Sequence, residues 1–244
     1  MAATGNQGRD AILVTGAGRG LGQAIAVHLA APGRLLLLHH HASMGGVDET
    51  AAKVRAQGAE PACLPADLAD FDQREDLLRQ VTAHTGHLTL LVNNAGIYPE
   101  TALLEIDPAQ WRRVMEVDCN AVQHMIHGLL PLLKAGSPAQ VVNIGDSGAD
   151  RVVARLEATP YHVAKLGVHV LTRSYAKALA GEGVRVNMIS PGFLDNSVGE
   201  PGSPLPQGRK GTFGDVLGAL DYLRSEAAAY VSGANLVVSG AWNL

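Results

Sequence analysis

The chain has 244 residues, of which 47% are hydrophobic and 17% are charged, and its formal net charge is −4. This length and composition allow a full buried core, and the small negative charge argues against a nucleic-acid partner because no basic face is available to neutralise phosphates. Two cysteines, Cys63 and Cys119, are too few for a disulfide framework, and we expect both to fill the core.

Neither a membrane span nor a leader segment is expected from the hydropathy pattern. No apolar run is long enough to cross a bilayer, and residues 1–10 lack the apolar core of a signal peptide. We therefore expect a cytoplasmic protein that acts on a small-molecule substrate, without a membrane partner.

Strand and helix patterns alternate along the chain. Residues 11–15 predict a first strand, and a glycine-rich turn over 15–22 leads into a helix over 21–30 that ends at Pro32 and Gly33. The apolar run 35–38 is typical of a parallel strand that is covered on both faces. Further strands are predicted near 61–65, 88–92, 139–145, 184–189 and 235–238, and further helices near 46–57, 71–85, 108–134, 160–181 and 213–226.

This alternation predicts an α/β fold with a doubly wound parallel sheet of seven strands. No linker or repeat divides the chain, so we expect a flexible tail over residues 1–10 and a single domain over 11–244. Ligands of such sheets bind beyond the carboxyl ends of the strands, where the polar candidate residues lie.

The turn after the first strand has the glycines that a dinucleotide site needs. Glycine permits a tight turn, a close approach of pyrophosphate to the backbone, and close packing of the following helix on the strand. The N-terminus of that helix offers N–H groups to the phosphates. The predicted cofactor-binding residues here are Gly16, Arg19, Gly20, Leu21 and Gly22.

The end of the second strand indicates which cofactor binds. NAD-preferring sites place an acidic residue there for the ribose hydroxyls, but residues 39–43 read His-His-His-Ala-Ser. Arg19 can meet a ribose 2′-phosphate instead, so the pattern predicts NADPH. Consecutive histidines leaving a strand point to alternate faces, so we predict no metal site.

Tyr161 and Lys165 are the predicted proton-transfer groups. A spacing of four residues puts both side chains on one helical face. A free phenol titrates at about 10, which is too high for easy proton exchange near neutrality. We expect the neighbouring ammonium, together with the positive nicotinamide of an oxidised cofactor, to lower the pKa of the phenol.

The glycine turn, the run Asn93-Asn94-Ala95-Gly96, the Tyr161-x-x-x-Lys165 pair and Pro191-Gly192 together resemble the short-chain dehydrogenase/reductase family over residues 9–243. The resemblance implies one Rossmann-type domain, a nicotinamide cofactor, and a homodimer or homotetramer. It implies that Tyr161 is the proton donor or acceptor, and that Lys165 binds the cofactor ribose and modifies the tyrosine. Further cofactor-binding residues implied by the resemblance are His39, His41, Ser43, Asp67, Leu68, Asn94, Ala95, Gly96, Pro191, Gly192, Asn196 and Ser197.

Two positions depart from the family pattern. Most members have a serine after the fifth strand that holds the substrate oxygen, whereas this chain has Asp146 with Ser147 one residue on. Either residue can face the substrate, and we favour Asp146. The family's asparagine that orders a relay water is replaced by Asp118, which cannot donate a hydrogen bond when ionised, so we expect an altered proton relay.

Some of these residues are similar to the pteridine reductases, a branch that reduces C=N bonds. An aspartate at position 146, the spacing of His39, His41 and Ser43, and an aromatic residue at Tyr98 all match that branch, although Ala42 replaces its phosphate-binding arginine. The loop over 193–212 is the family's variable substrate region, and its proline and glycine content predicts a lid. Predicted substrate contacts are Tyr98, Asp146, Phe193, Leu194 and Leu205.

The expected function is an NADPH-dependent reductase that transfers hydride to a ketone or aldehyde while Tyr161 donates a proton. The alternative is reduction of a C=N bond in a pterin or related heterocycle. A sensor that binds NADPH without turnover is the alternative of another class, and a sugar-nucleotide epimerase is disfavoured because the chain has little room for a C-terminal substrate region.

Overall fold

Seven parallel strands form one sheet in the computed structural model, which describes residues 10–41, 44–197, 201 and 203–242. The strand order is β3-β2-β1-β4-β5-β6-β7, which confirms the predicted doubly wound, Rossmann-type α/β fold. The strands are β1 (Asp10–Val14), β2 (Arg34–His40), β3 (Glu60–Pro65), β4 (Leu90–Asn93), β5 (Ala139–Ile144), β6 (Val184–Pro191) and β7 (Asn235–Val238).

Eight α-helices connect the strands in the described part of the chain. They are α1 (Gly20–Leu29), α2 (Met44–Ala56), α3 (Phe71–His84), α4 (Pro108–Met115), α5 (Ala121–Gly128), α6 (Leu130–Ala135), α7 (Thr159–Ala178) and α8 (Phe213–Arg224). Side chains cap several of these helices: the Asp70 carboxylate accepts the Gln73 N–H at α3, and Thr212 with Asp215 forms a capping box at α8.

The prediction of one continuous helix over 108–134 is wrong. The segment contains α4, a π-helical turn (Glu116–Asn120), α5 and α6. The break before α6 has a local cause, because Pro131 in its first turn lacks an N–H and Leu129 leaves the helical conformation (φ −96°, ψ 4°).

The first two strands are buried on both faces. In β1, residues 11–14 are at most 1% exposed, and in β2, residues 35–38 are at most 2% exposed. Such burial explains why both strands read as unbroken apolar runs and not as alternating patterns. Position 63 lies on the edge strand β3, so the expectation that Cys63 fills the core is wrong: its thiol is exposed, whereas Cys119 is intermediate.

The chain divides into two compact units. The first comprises Met1–Ala95, His124–Val141 and Glu182–Val184, and the second comprises Gly96–Gln123, Val142–Gly181 and Arg185–Leu244. The expected tail over residues 1–10 lies almost wholly outside the described residues. Asp10, which that boundary assigned to the tail, is the first residue of β1 and pairs with Arg34.

Candidate functional site

The glycine turn of the first unit forms a close backbone cradle. Gly16 has φ +67°, a conformation that favours glycine, and a Cβ at Gly22 would clash with the Gly16 carbonyl oxygen and the Asn94 side-chain amide. Thr15 Oγ1 accepts the backbone N–H groups of Asn94 (2.9 Å) and Ala95 (3.0 Å), and Asn94 Nδ2 donates to Thr15 O at 2.9 Å. These hydrogen bonds therefore fix the turn after β1 to the segment after β4, and β1 and β4 are neighbours in the sheet.

The N-terminus of α1 fits a pyrophosphate. Its N-cap residue, Arg19, makes no side-chain capping bond in the described structure, and its first turn holds no acidic residue. The N–H groups of this first turn and the positive end of the helix dipole favour an anion. The residues present therefore fit the diphosphate of a dinucleotide, and the exposed Arg19 would add a positive charge beside it.

His39 is held within the protein by hydrogen bonds to both of its ring nitrogens. Its Nδ1 accepts the backbone N–H of Gly16 at 3.1 Å, and its Nε2 lies 3.1 Å from the carbonyl oxygen of Ala66. Burial lowers the pKa of His39 to about 4, so the ring is neutral near pH 7. Both ring nitrogens are engaged by the protein, and neither is available to a phosphate.

The other residues predicted around the adenosine half have mixed positions. His41 is about half exposed, and its Nε2 lies 3.6 Å from Asp67 Oδ2. Asp67 Oδ1 accepts the N–H of Ala69 at 2.9 Å, so this carboxylate shapes the loop after β3. Leu68 is buried. Ser43, with Ala42, lies outside the described residues.

The second unit holds the tyrosine and the lysine in the first turns of α7. Lys165 is buried, its Nζ donates to the carbonyl oxygen of Ile144 at 3.0 Å, and it lies 5.5 Å from the centroid of the Tyr161 ring. The expected shared helical face is therefore present. The helix begins after Ala158, whose left-handed backbone (φ 50°) turns the chain into it, and Pro160 in the first turn needs no N–H partner.

A buried carboxylate lies next to this lysine. Asp118 is 0% exposed, its Oδ2 accepts the Ile97 N–H at 3.0 Å, and its Oδ1 lies 3.5 Å from Lys165 Nζ. Gly96 leaves room for it, because a Cβ there would stand 2.6 Å from Asp118 Oδ1. Asp118 lies on the π-helical turn, a local widening that is frequent at functional sites. Burial raises the pKa of Asp118, and the ammonium of Lys165 opposes that rise.

The protein's own charges do not lower the pKa of Tyr161 as the sequence suggested. Burial raises that pKa well above its ordinary value, and the negative charges of Asp146 and Asp118 and the nearby Tyr98 raise it further. Lys165 Nζ lies 3.5 Å from Asp118 Oδ1. Tyr161 therefore keeps its hydroxyl proton to a higher pH than a free phenol does.

Asp146 and Ser147 lie in different surroundings. Asp146 Oδ1 accepts the Gly148 N–H at 2.8 Å, and its charge acts on Tyr161 and on Tyr98. Ser147 is buried at 3% exposure, and its N–H donates to Pro191 O. The charge of Asp146 therefore acts on the tyrosine.

Two aromatic side chains flank the phenol. Tyr98 meets Tyr161 edge to face, with ring centroids 4.9 Å apart and an angle of 75°, and it is 45% exposed. His162 packs against both rings, and its Nδ1 lies 3.9 Å from Asp146 Oδ1. Sequence reasoning missed His162, although its place next to Tyr161 in the first turn of α7 was a signal for it.

Backbone hydrogen bonds join the beginning and the end of the loop after β6. Phe193 O accepts the Gly211 N–H, the Asp195 N–H donates to Gly211 O, and the Phe193 ring packs edge to face on Trp242 at 5.8 Å. Sequence analysis also missed Trp242, which gave no local signal. The other residues predicted in this loop are partly held by the protein. Gly192 donates its N–H to Val238 O, and Ser197 Oγ accepts the Leu194 N–H at 2.9 Å. Leu194 is buried, Leu205 is partly exposed and Asn196 is exposed.

Among the described residues, no group of three or more His, Cys, Asp or Glu side chains is arranged to hold a metal ion. The helices described are all too short or too polar to cross a membrane.

The fold and the site together define an NAD(P)-dependent oxidoreductase. A family model described as enoyl-(acyl carrier protein) reductase matches residues 16–243. The chain belongs to the short-chain dehydrogenase/reductase family.

Relatives and solved structures agree with this assignment. The chain is 36% identical to a cis-4-hydroxycyclohexanecarboxylate dehydrogenase from Sinomonas cyclohexanicum, over 94% of this chain and 95% of the relative. It is 32% identical to a 3-oxoacyl-[acyl-carrier-protein] reductase from Synechocystis, over 93% and 94%. The structure of a Pseudomonas aeruginosa RhlG/NADP active-site complex matches with a TM-score of 0.87 and 29% identity, covering 98% of each chain.

Proposed function

We propose that the protein is an NADPH-dependent reductase of a ketone or aldehyde, in which Tyr161 donates the proton. The observation that carries this proposal is the placement of the Tyr161 phenol on the face of α7 that also holds Lys165, whose Nζ lies 5.5 Å from the centroid of the phenol ring. When bound, NADPH supplies the hydride that reduces the carbonyl carbon. The Tyr161 hydroxyl then protonates the substrate oxygen, a step that a protonated donor favours.

Other residues bind and orient the reactants. The α1 N-terminus holds the diphosphate, and Arg19 pairs with the ribose 2′-phosphate. Lys165, fixed by Ile144 O and Asp118, binds the nicotinamide ribose through its ammonium. Asp146, whose charge acts on the tyrosine, accepts a hydrogen bond from a hydroxyl or N–H group of the substrate next to the reacting carbonyl, because the carbonyl oxygen itself can only accept.

The carbonyl class is supported by the named relatives. One is named for reduction of a 3-oxo group and another for dehydrogenation of a hydroxy compound, so their names refer to the two directions of one type of chemistry. The relatives align with nearly the whole chain. We also infer a homodimer or homotetramer, as the family resemblance implies.

A C=N bond in a pterin or related heterocycle is the second candidate substrate. It is favoured by Asp146, which stands where most family members have serine, and by the exposed face of Tyr98 next to Tyr161. A carboxylate accepts hydrogen bonds from ring N–H groups, and an aromatic face stacks on a flat ring.

Oxidation of NADPH, followed by the loss of reduced-nicotinamide absorbance, tests both candidates. A panel of ketones, aldehydes and dihydropterins is offered to the wild type and to Tyr161→Phe. We expect turnover with carbonyls and a fall of about 10²- to 10⁴-fold in kcat for the variant, whose phenyl ring has no transferable proton. Binding of NADPH should be nearly unchanged. Turnover of dihydropterins alone would favour the second candidate, and full activity of Tyr161→Phe would contradict the role of the phenol.

A further inference from the structure

We propose that His39 is a positioning residue for the coenzyme, which holds the glycine turn in its binding conformation by joining the Gly16 N–H to the end of β3. The inference rests on the proposed function only through NADPH binding. It adds a role for a side chain that otherwise looks like a direct phosphate ligand.

The hydrogen bonds define the tautomer of the ring. A carbonyl oxygen can only accept, so Nε2 carries the proton that is donated to Ala66 O at 3.1 Å. Nδ1 is then an acceptor, and it receives the Gly16 N–H at 3.1 Å. The ring is 2% exposed, so water cannot replace either bond.

Backbone hydrogen bonds near the His39 ring also join β2 to the glycine turn and to the end of β3. The Ala17 N–H donates to His39 O at 2.8 Å, and the Ala66 N–H donates to His40 O at 3.0 Å. Gly16 lies in the left-handed region at φ +67°, and its N–H donates to the imidazole of His39. The imidazole supplies the acceptor that this turn needs.

The next residue along β2 is a natural control. His40 is also buried, at 6% exposure, but its Nδ1 has no hydrogen-bond partner among the described residues. Successive side chains of a strand point to opposite faces, so His40 projects away from the face that His39 occupies. Replacing each histidine by phenylalanine compares two buried rings, only one of which braces the turn.

Fluorescence titration with NADPH, without any carbonyl substrate, measures the effect directly. We expect His39→Phe to raise the Kd for NADPH by about tenfold, because Gly16 N–H and Ala66 O lose their partners. His40→Phe should stay within about twofold of the wild type, since no bond to the turn is lost. His39→Asn should restore binding to within about threefold, because its Oδ1 stands where Nδ1 accepted the Gly16 N–H.

Steady-state kinetics distinguishes positioning of the coenzyme from general damage. For His39→Phe, we expect the KM for NADPH to rise with its Kd, while kcat at saturating NADPH stays within about twofold. Equal NADPH affinity in His39→Phe and the wild type, equal losses in the two phenylalanine variants, or no rescue by His39→Asn would overturn the proposal.

Nitrogen NMR of the wild type tests the geometry even if a variant fails to fold. Long-range ¹H–¹⁵N spectra should show His39 protonated on Nε2 alone from about pH 6 to 8. A His39 protonated on Nδ1, or titrating within that range, would contradict the proposal. Failure of the wild type to bind NADPH would instead overturn the proposed function, so the two failures are distinguishable.

Discussion

At the scale of single residues, the charges around Tyr161 oppose ionisation of its phenol. Two carboxylates, Asp146 and Asp118, act on the phenol and help burial to raise its pKa. In reduction, the tyrosine has to start as a protonated donor, which this environment supports. In alcohol oxidation, it has to start as a phenolate, which the same carboxylates disfavour. Asp146 and Asp118, which stand where the family usually has a serine and an asparagine, therefore both raise the pKa of Tyr161.

Asp118→Asn tests this electrostatic argument. The amide oxygen keeps an acceptor for the Ile97 N–H, but the negative charge near Lys165 is removed. Because Asp118 raises the pKa of Tyr161, the variant should ionise its tyrosine at lower pH. We expect the ascending limb of the pH profile for alcohol oxidation to move to lower pH.

The measurement is kcat/KM for oxidation as a function of pH, with Asp118→Ala as the comparison. The alanine variant removes the same charge but also leaves the Ile97 N–H without its acceptor, so it should lose thermal stability as well. An unchanged profile in Asp118→Asn would mean that the carboxylate does not control the phenol.

At the scale of elements, the close contact between α1 and the glycine turn is what allows the helix to direct its N-terminus at a phosphate. That contact depends on the absence of a side chain at Gly22, where a Cβ would meet both the Gly16 carbonyl and the Asn94 amide. Asn94 is itself fixed by Thr15, so the neighbour cannot move aside without losing its hydrogen bond. The turn, the helix and the segment after β4 therefore act as one binding element.

Gly22→Ala is expected to damage both folding stability and NADPH binding. The overpacked methyl group should lower the free energy of unfolding by about 1–3 kcal/mol and weaken NADPH binding. Gly218→Ala in α8 is the matched control, because a Cβ there meets nothing within 4 Å. That change should increase stability by up to about 1 kcal/mol, since alanine favours a helix. Thermal unfolding and NADPH titration measure both effects. Equal behaviour of the two variants would show that a side chain at position 22 does not disturb the glycine turn.

At the scale of the whole molecule, buried histidines make stability depend on pH. Burial lowers the pKa of His39 to about 4 from an ordinary value of 6.5, and it also lowers the pKa of His40 and of His162. A histidine with a lowered pKa takes up its proton more readily in the unfolded chain. Its contribution to stability is present above the unfolded pKa and is lost as the pH falls towards the folded pKa.

For His39, this linkage predicts a loss of about 2 kcal/mol in the free energy of unfolding between about pH 7 and pH 5. Urea denaturation at the two pH values measures the loss. His39→Asn should show a smaller pH dependence because it has no titrating ring, and the dependence that remains should come from groups such as His40 and His162. The same pH dependence in variant and wild type would show that His39 is not the source.

The sequence by itself determined the α/β alternation, the glycine turn and the Tyr161–Lys165 pair. These features depend on neighbours within a few residues: strand and helix periodicity, positive-φ glycines and a spacing of one helical turn. They are sufficient to predict the sheet, the family and the coenzyme. The break within 108–134 was missed because its pattern stays apolar across a proline that begins a new helix.

Only the tertiary structure decided the roles of His39, Asp118 and Asp146. Each depends on a partner that is distant along the chain: Gly16 and Ala66 for His39, Lys165 for Asp118 and the Tyr161 hydroxyl for Asp146. Burial and charge add over all groups packed around a side chain, and a linear pattern does not reveal which groups those are. This is why local spacing indicated a lowered pKa for the phenol, whereas the packed environment raises it.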